Sequence, residues 1–316
     1  MGIKNLMELI KKYAPNSIKY KKICDYKNTK IGIDINLLIY KMIYAIRLNG
    51  YDIKNGNIII THIHTFLQKI RGFIKYNIKP IFVFDGEMPV FKKDTIKERN
   101  IIGKNLQDKY NNAVTDKDKK KYYYMKSKIT DKEIDDIITL INIFGYPIIF
   151  SPYEADCQLA YLQKQGLIDY VASDDMDLLI FGSNMILKNF TVSDKKYICE
   201  INLENILEEL GISYKQFIET AMLMGCDYCR RLFGPIKSYK LIKEYGSIKN
   251  LIKHNIIKNN NYMEITKYFV DPPIKKINNI NWKNKVKNKN NIKLIEFLKK
   301  YNYNDNQIDK INKSIN

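Results

Sequence analysis

Histidine is nearly absent from this chain, with three residues in 316: His62, His64 and His254. A zinc centre draws its four ligands largely from imidazole and thiolate. Here one CxxC, Cys226 and Cys229, has no second pair, and the histidines are not placed to help. The five cysteines are odd in number and scattered, which suits a reducing compartment. Core packing is the reading for these thiols. Long apolar runs are also missing. The longest, IITLINIFGYPIIF, is interrupted by Gly145 and Pro147 and too short for a membrane span. The start, MGIKNLMELI, lacks a basic-then-apolar signal pattern. Leu6 stands where N-myristoylation requires Ser or Thr, despite Gly2. An intracellular location is expected, nuclear or, for a viral or prokaryotic chain, cytoplasmic, with no membrane partner.

Acid is the other scarcity: 34 Asp and Glu stand against 53 Lys and Arg, a formal net charge of +19. With 45% hydrophobic residues the chain is ordinary for a folded protein, so the excess charge does not signal disorder. A folded basic protein most often meets a polyanion, nucleic acid first. AT-rich coding would also enrich Lys, Asn, Ile and Tyr, but it does not account for clustered Asp.

Short apolar runs bounded by turn residues read as buried strands: KIGID (30–34), PIFVFD (80–85) and YVASDD from Tyr170. Helical patterns lie between them, as in NLLIYKMIYAIRL (36–48) and THIHTFLQKIRGFIKY (61–76). That alternation predicts an α/β fold with a central, mostly parallel sheet flanked by helices. Residues 92–135 differ. They are Lys-rich, hold Tyr122, Tyr123 and Tyr124, contain no strand-forming run, and read as polar helices inserted just beyond a strand end. After about residue 213 helices take over, so an α/β unit over 1–212 and a helical region over 213–316 are expected. No internal repeat is visible.

The scarce acids gather at particular places. Three strands end in acid, at Asp34, Asp85 and Asp175, and carboxyl ends of parallel strands share one edge where sites form. Asp177 follows Asp175 by two residues. SPYEADCQLAYL adds Glu154 and Asp156; Ser151, Pro152 and Glu154 also read as a helix start with a capping box. Asp227 closes the helix of MLMGCDY, where an acid opposes the helix dipole and needs a partner. Seven carboxylates in one cleft repel by several kcal/mol per pair at about 4 Å. Divalent cations remove that cost. Oxygen-only ligands select hard ions, Mg²⁺ or Mn²⁺, and seven carboxylates exceed the needs of one Mg²⁺, so two ions are inferred. An acidic two-metal cleft in a basic protein points to phosphodiester hydrolysis.

Six ordered segments, MGIKNL, IGIDINLLIYKMIYAIR, PIFVFDGEMP, SPYEADCQLAYL, VASDDMDLLIFG and MLMGCDYC, resemble the flap endonuclease / XPG superfamily of structure-specific 5′ nucleases. The resemblance implies a PIN-like nuclease core, a helical arch at about 92–135, and a C-terminal helix-turn-helix element on duplex DNA. It assigns Asp34, Asp85, Glu154 and Asp156 to a first metal, and Asp175, Asp177 and Asp227 to a second. It makes Lys92 and Arg99 the arch's basic pair at the scissile phosphate. It implies DNA contacts at Gly2, Tyr40, Arg47, Gly234 and Lys237, with Tyr40 stacking on a base. For Tyr40 a core position on an amphipathic helix is the competing reading.

Several features depart from the family pattern. In LFGPIK, Gly234 matches the family's hairpin, which also binds a monovalent cation, but Leu232 replaces a glycine and the loop is shorter. The stretch before Thr61 reads YDIKNGN, with little of the acid flap endonucleases carry there. EAD rather than EAE is closer to the exonuclease and XPG branches. No sliding-clamp motif is found, and a monomer is expected. The reading is therefore a Mg²⁺-dependent 5′ flap endonuclease or 5′→3′ exonuclease, acting on DNA with a 5′ single strand and leaving a 5′-phosphate. A non-catalytic junction-binding protein and an RNA-directed 5′ nuclease are the alternatives.

Overall fold

A computed structural model of the protein describes residues 2–89, 92, 105, 108–126, 128–258, 261–282 and 292–315. Its centre is a seven-stranded sheet built from β1 (Ile18–Lys21), β2 (Lys30–Asp34), β5 (Lys79–Phe84), β6 (Ile148–Phe150), β7 (Tyr170–Ala172), β8 (Met185–Lys188) and β9 (Ile198–Asn202). A separate hairpin pairs β3 (Lys54–Asn55) with β4 (Ile58–Ile59). The sheet order is β1-β9-β8-β7-β2-β5-β6. The five strands from β8 to β6 run parallel; β9 pairs antiparallel with β8, and β1 pairs antiparallel with β9 at the sheet's edge.

The strand period of two sorts side chains onto two faces. On β5, Ile81 and Val83 enter one apolar cluster with Leu159, Val171 and Leu223. Phe82 and Phe84 enter the other, with Ile33, Phe66 and Ile70. Gly32 on β2 is a close-approach glycine: a Cβ there would collide with Leu159 and Ile168. Its absence lets the helix Ala155–Lys164, whose N-terminal end carries two of the acids, lie against the sheet.

Two of the expected strands keep their bounds within a residue. The third stops at Ala172, because Ser173 begins a turn in which its hydroxyl accepts the Asp175 N–H at 3.1 Å. The Lys-rich insertion holds the helix Asp116–Lys126 and returns through Thr130. There a capping box opens the helix Asp131–Phe144: the Glu133 carboxylate accepts the Thr130 N–H at 2.8 Å. Beyond β9 the described residues form helices only, and Leu210, Phe217 and Leu251 join the same apolar cluster as Leu9 and Val171. Among the described residues no helix is long and apolar enough to cross a membrane.

Candidate active site

Parallel register brings the acids to one edge. Asp34 ends β2 opposite Val83, and Asp85 follows β5 directly. Each then acts in the next element. Asp34 caps the helix Ile35–Arg47, accepting the Leu37 N–H at 3.0 Å. Asp85 accepts the Ala155 N–H at 2.8 Å and the Asn36 side-chain amide at 2.7 Å. Asp85 therefore caps the helix Ala155–Lys164 across the sheet edge. Glu154 is that helix's N-cap residue, but its carboxylate makes no capping bond, which excludes the capping-box reading. It pairs instead with Lys92 and accepts from the Tyr228 hydroxyl and, at 3.4 Å, from Tyr268.

The other acids stand on neighbouring elements. Asp156 lies in the first turn of the same helix. Asp177 opens the short helix Asp177–Ile180, and its N–H donates to Asp175 at 3.1 Å. Asp227 sits in the tight turn after the helix Tyr214–Met224, where Cys226 and Cys229 exchange backbone hydrogen bonds. The Lys92 ammonium stands 3.7 Å from Asp227 and 4.7 Å from the centre of the Tyr228 ring. It is the partner that an acid beyond a helix C-terminus requires. Gly2 has φ +78°, and a Cβ there would collide with the carboxylates of Asp175 and Asp177.

The electrostatics bind these residues into one unit. Burial, then the charges of Asp85 and Asp175, push the Asp34 carboxyl up to about 7. Burial, then Asp175, Asp34 and Asp177, hold Asp156 well above the ordinary range. Asp177 is raised likewise, by burial and then Asp175. Burial disfavours the Lys92 ammonium, but Glu154, Asp177 and Asp227 outweigh it and raise its pKa.

Oδ1 of Asp156 and both carboxylate oxygens of Asp177 are buried with no hydrogen-bond donor. Leaving a buried acceptor unpaired costs roughly 1–3 kcal/mol, more for a charge. Among the described residues no three His, Cys, Asp or Glu side chains close into a ready-made cage. Lys92 takes up part of the charge of Glu154 and Asp227. An all-oxygen donor set with unpaired buried oxygens suits a hard divalent cation.

The expected DNA-side residues divide. Tyr40 is 47% exposed and stacks on Tyr44, with ring centres 3.8 Å apart, so it is not a core residue. Gly234 precedes the helix Pro235–Tyr245, and Lys237 is exposed in its first turn, 4.7 Å above the Phe233 ring. Arg47 departs from expectation. It is 5% exposed, and its guanidinium is spent inside the protein on Asp52, Glu133 and the Lys128 carbonyl, which leaves no free fork for a phosphate. Arg99 lies outside the described residues.

Comparison with known proteins agrees with this geometry. Residues 1–105 match the XPG N-terminal domain and residues 145–227 the XPG I-region. Flap endonuclease 1 of Entamoeba dispar is 35% identical over 289 residues, covering 87% of this chain and 77% of that protein. The chain belongs to the flap endonuclease / XPG superfamily. It is a structure-specific 5′ nuclease that acts on DNA. Flap endonuclease-1 from Methanococcus jannaschii is similar in structure, with a TM-score of 0.71 at 26% identity over 94% of this chain and 95% of that one. The catalytic core of Rad2, solved in complex with a DNA substrate, superposes with a TM-score of 0.74 at 24% identity, covering 98% of each chain.

Some residues of this flap endonuclease relative were not legible in its sequence. Tyr228 touches both Glu154 and Lys92, and its position beside Asp227 was the available signal. Tyr268 reaches Glu154 from the helix Tyr262–Val270, and nothing local marks it. Asp174 looks like part of the acidic cluster but turns away from it. It pairs with Lys41 and accepts the Asn189 N–H at 2.6 Å.

Proposed function

We propose that this nuclease cleaves DNA at single-strand/double-strand junctions with two divalent ions, Mg²⁺ with Mn²⁺ as a substitute, held by the strand-end acids. Asp34, Asp85, Glu154 and Asp156 would hold one ion, and Asp175, Asp177 and Asp227 the other, with Asp156 shared. Such ions, when bound, supply positive charge to the scissile phosphate and lower the pKa of water. The chain's own groups do the rest. Asp85 and Asp34 are held in place by backbone N–H donors and Asn36. Lys92, already among the carboxylates, offers a cation to the charge that develops on the phosphate, and Arg99 is its proposed companion. Tyr40, backed by Tyr44, offers a face for a base, worth roughly 1–3 kcal/mol. The turn at Gly234 and Lys237 would hold duplex phosphates, so sequence preference should be weak.

The observation that carries this reading is the set of buried, donorless oxygens on Asp156 and Asp177. Crystals soaked with Mn²⁺ test it: two anomalous peaks among the seven acids are expected, and one peak or none rejects the two-ion arrangement. Gel analysis of a 5′-flap duplex against a blunt duplex separates the two modes. A cut at the flap base marks the endonuclease, and stepwise mononucleotides mark the exonuclease.

A further inference from the structure

One buried polar knot lies apart from the acid cleft, and its residues have no part in the chemistry above. Its centre is Asp52. Oδ1 accepts from Arg47 Nε at 2.9 Å and from the Thr61 hydroxyl at 2.8 Å, and Oδ2 accepts from the Tyr123 hydroxyl at 2.9 Å. Arg47 extends the knot, donating from Nη2 to Glu133 at 2.7 Å. The side chains of Arg47, Asp52 and Glu133 are all less than a tenth exposed. Burial would raise the Asp52 carboxyl, but hydrogen bonds from Thr61, Arg47 and Tyr123 outweigh it and hold it below the ordinary range.

The knot joins parts of the chain that are otherwise distant. Arg47 closes the helix that Asp34 caps and that carries Tyr40. Thr61 opens the next helix, Thr61–Lys75. Tyr123 belongs to the Lys-rich insertion, and Glu133 stands in the first turn of the helix by which the insertion returns. The insertion's other end is held at Lys92, among the acids. Replacing a buried ion pair with apolar residues is often neutral for stability, so such pairs are better suited to specifying one arrangement than to adding net stability.

We propose that Asp52, Arg47 and Tyr123 are positioning residues that latch the return end of the basic insertion to the helix carrying Asp34 and Tyr40, and so set where a 5′ single strand lies relative to the acids. This rests on the nuclease site described above. Arg47 then acts on DNA indirectly, through the insertion, and not as a phosphate ligand.

Tyr123→Phe in the full chain tests the latch, because it removes one hydroxyl and keeps the ring. Trypsin should cut the insertion at Lys117–Lys121 about tenfold faster than in wild type, as expected for losing a hydrogen bond to a charged acceptor. The melting temperature should stay within about 2 °C. On a 5′-flap duplex kcat/KM should fall about tenfold, while a duplex without a 5′ single strand is cut at the wild-type rate. Asp52→Asn should sensitise the insertion to trypsin more strongly, and it should also lower the melting temperature because the buried Arg47 loses a charged partner. Equal trypsin sensitivity overturns the proposal. So does faster trypsin cutting with unchanged flap cleavage, or an equal loss on both DNA substrates, which would mark core support only. Trypsin digestion needs neither metal nor DNA cleavage, so a failure of the site assignment would be seen separately.

Discussion

The ammonium of Lys92 stands 3.7 Å from the carboxylate of Asp227, so residues 135 positions apart neutralise each other beside the other acids. The same ammonium pairs with Glu154. Lys92→Met should therefore reduce kcat about a hundredfold or more, the scale for removing one charge-stabilising donor, with DNA affinity little changed. Single-turnover cleavage and fluorescence anisotropy with a flap duplex separate these effects. Equal losses in both would show that Lys92 serves binding alone.

Asp177 is 1% exposed, and its carboxylate oxygens have no donors, so its charge is a liability in the metal-free protein. Asp177→Asn should unfold at higher urea concentration than wild type in EDTA, by about 1–3 kcal/mol. In Mg²⁺ the order should reverse, because wild type gains binding energy that the variant cannot. Cleavage should be abolished. A variant less stable than wild type in EDTA would contradict the reading of this carboxylate.

Gly2 lies against Asp175 and Asp177 with φ +78°, where a side chain is both strained and obstructed. Gly2→Ala should lower cleavage at least tenfold by displacing those carboxylates, with backbone strain of about 1–2 kcal/mol confined to the chain end. Circular dichroism and melting should match wild type to within a few degrees. Full activity would place the chain's start away from the acids.

His62 tests pH dependence away from the site. Its Nε2 is 3.0 Å from Asp136, and burial, opposed by Asp136, holds the imidazole below its ordinary 6.5. The unfolded chain therefore takes up a proton, as pH falls through about 6.5, that the folded chain refuses. Stability from this group is intact at pH 7 and declines toward pH 5, by at most about 1.4 kcal/mol per unit. His62→Gln should be less stable than wild type at pH 7, and the gap should narrow as pH falls. Urea melts at several pH values measure it, and a gap that widens would reverse the assigned direction.

Much of the fold was readable because its signals are local. KIGID and PIFVFD are compact apolar runs between turn residues, and both are strands within a residue of their expected bounds. Four of the seven strands in the central sheet were not expected. β1, IKYK, alternates charge with apolar residues at the sheet's edge, and β9, ICEIN, buries Glu200 only because Lys21 and Tyr26 reach it from elsewhere in the chain. The acids were readable by position, since strand ends in a parallel sheet meet at one edge. Arg47 was misread for the opposite reason. Its sequence position resembles a DNA contact, and its partner Glu133 lies 86 residues away.

The sequence by itself determined the alternation of strand and helix, the acids at or just beyond the ends of three strands, and the excess of positive charge. Each depends on neighbours a few residues away, where backbone geometry dictates which side chains share a face. Only the tertiary structure decided which charges meet: Lys92 with Glu154 and Asp227, Asp174 with Lys41, and Arg47 with Asp52 and Glu133. Long-range pairing follows from how the helices pack on the sheet, and a buried charge accepts whichever opposite charge that packing brings within reach.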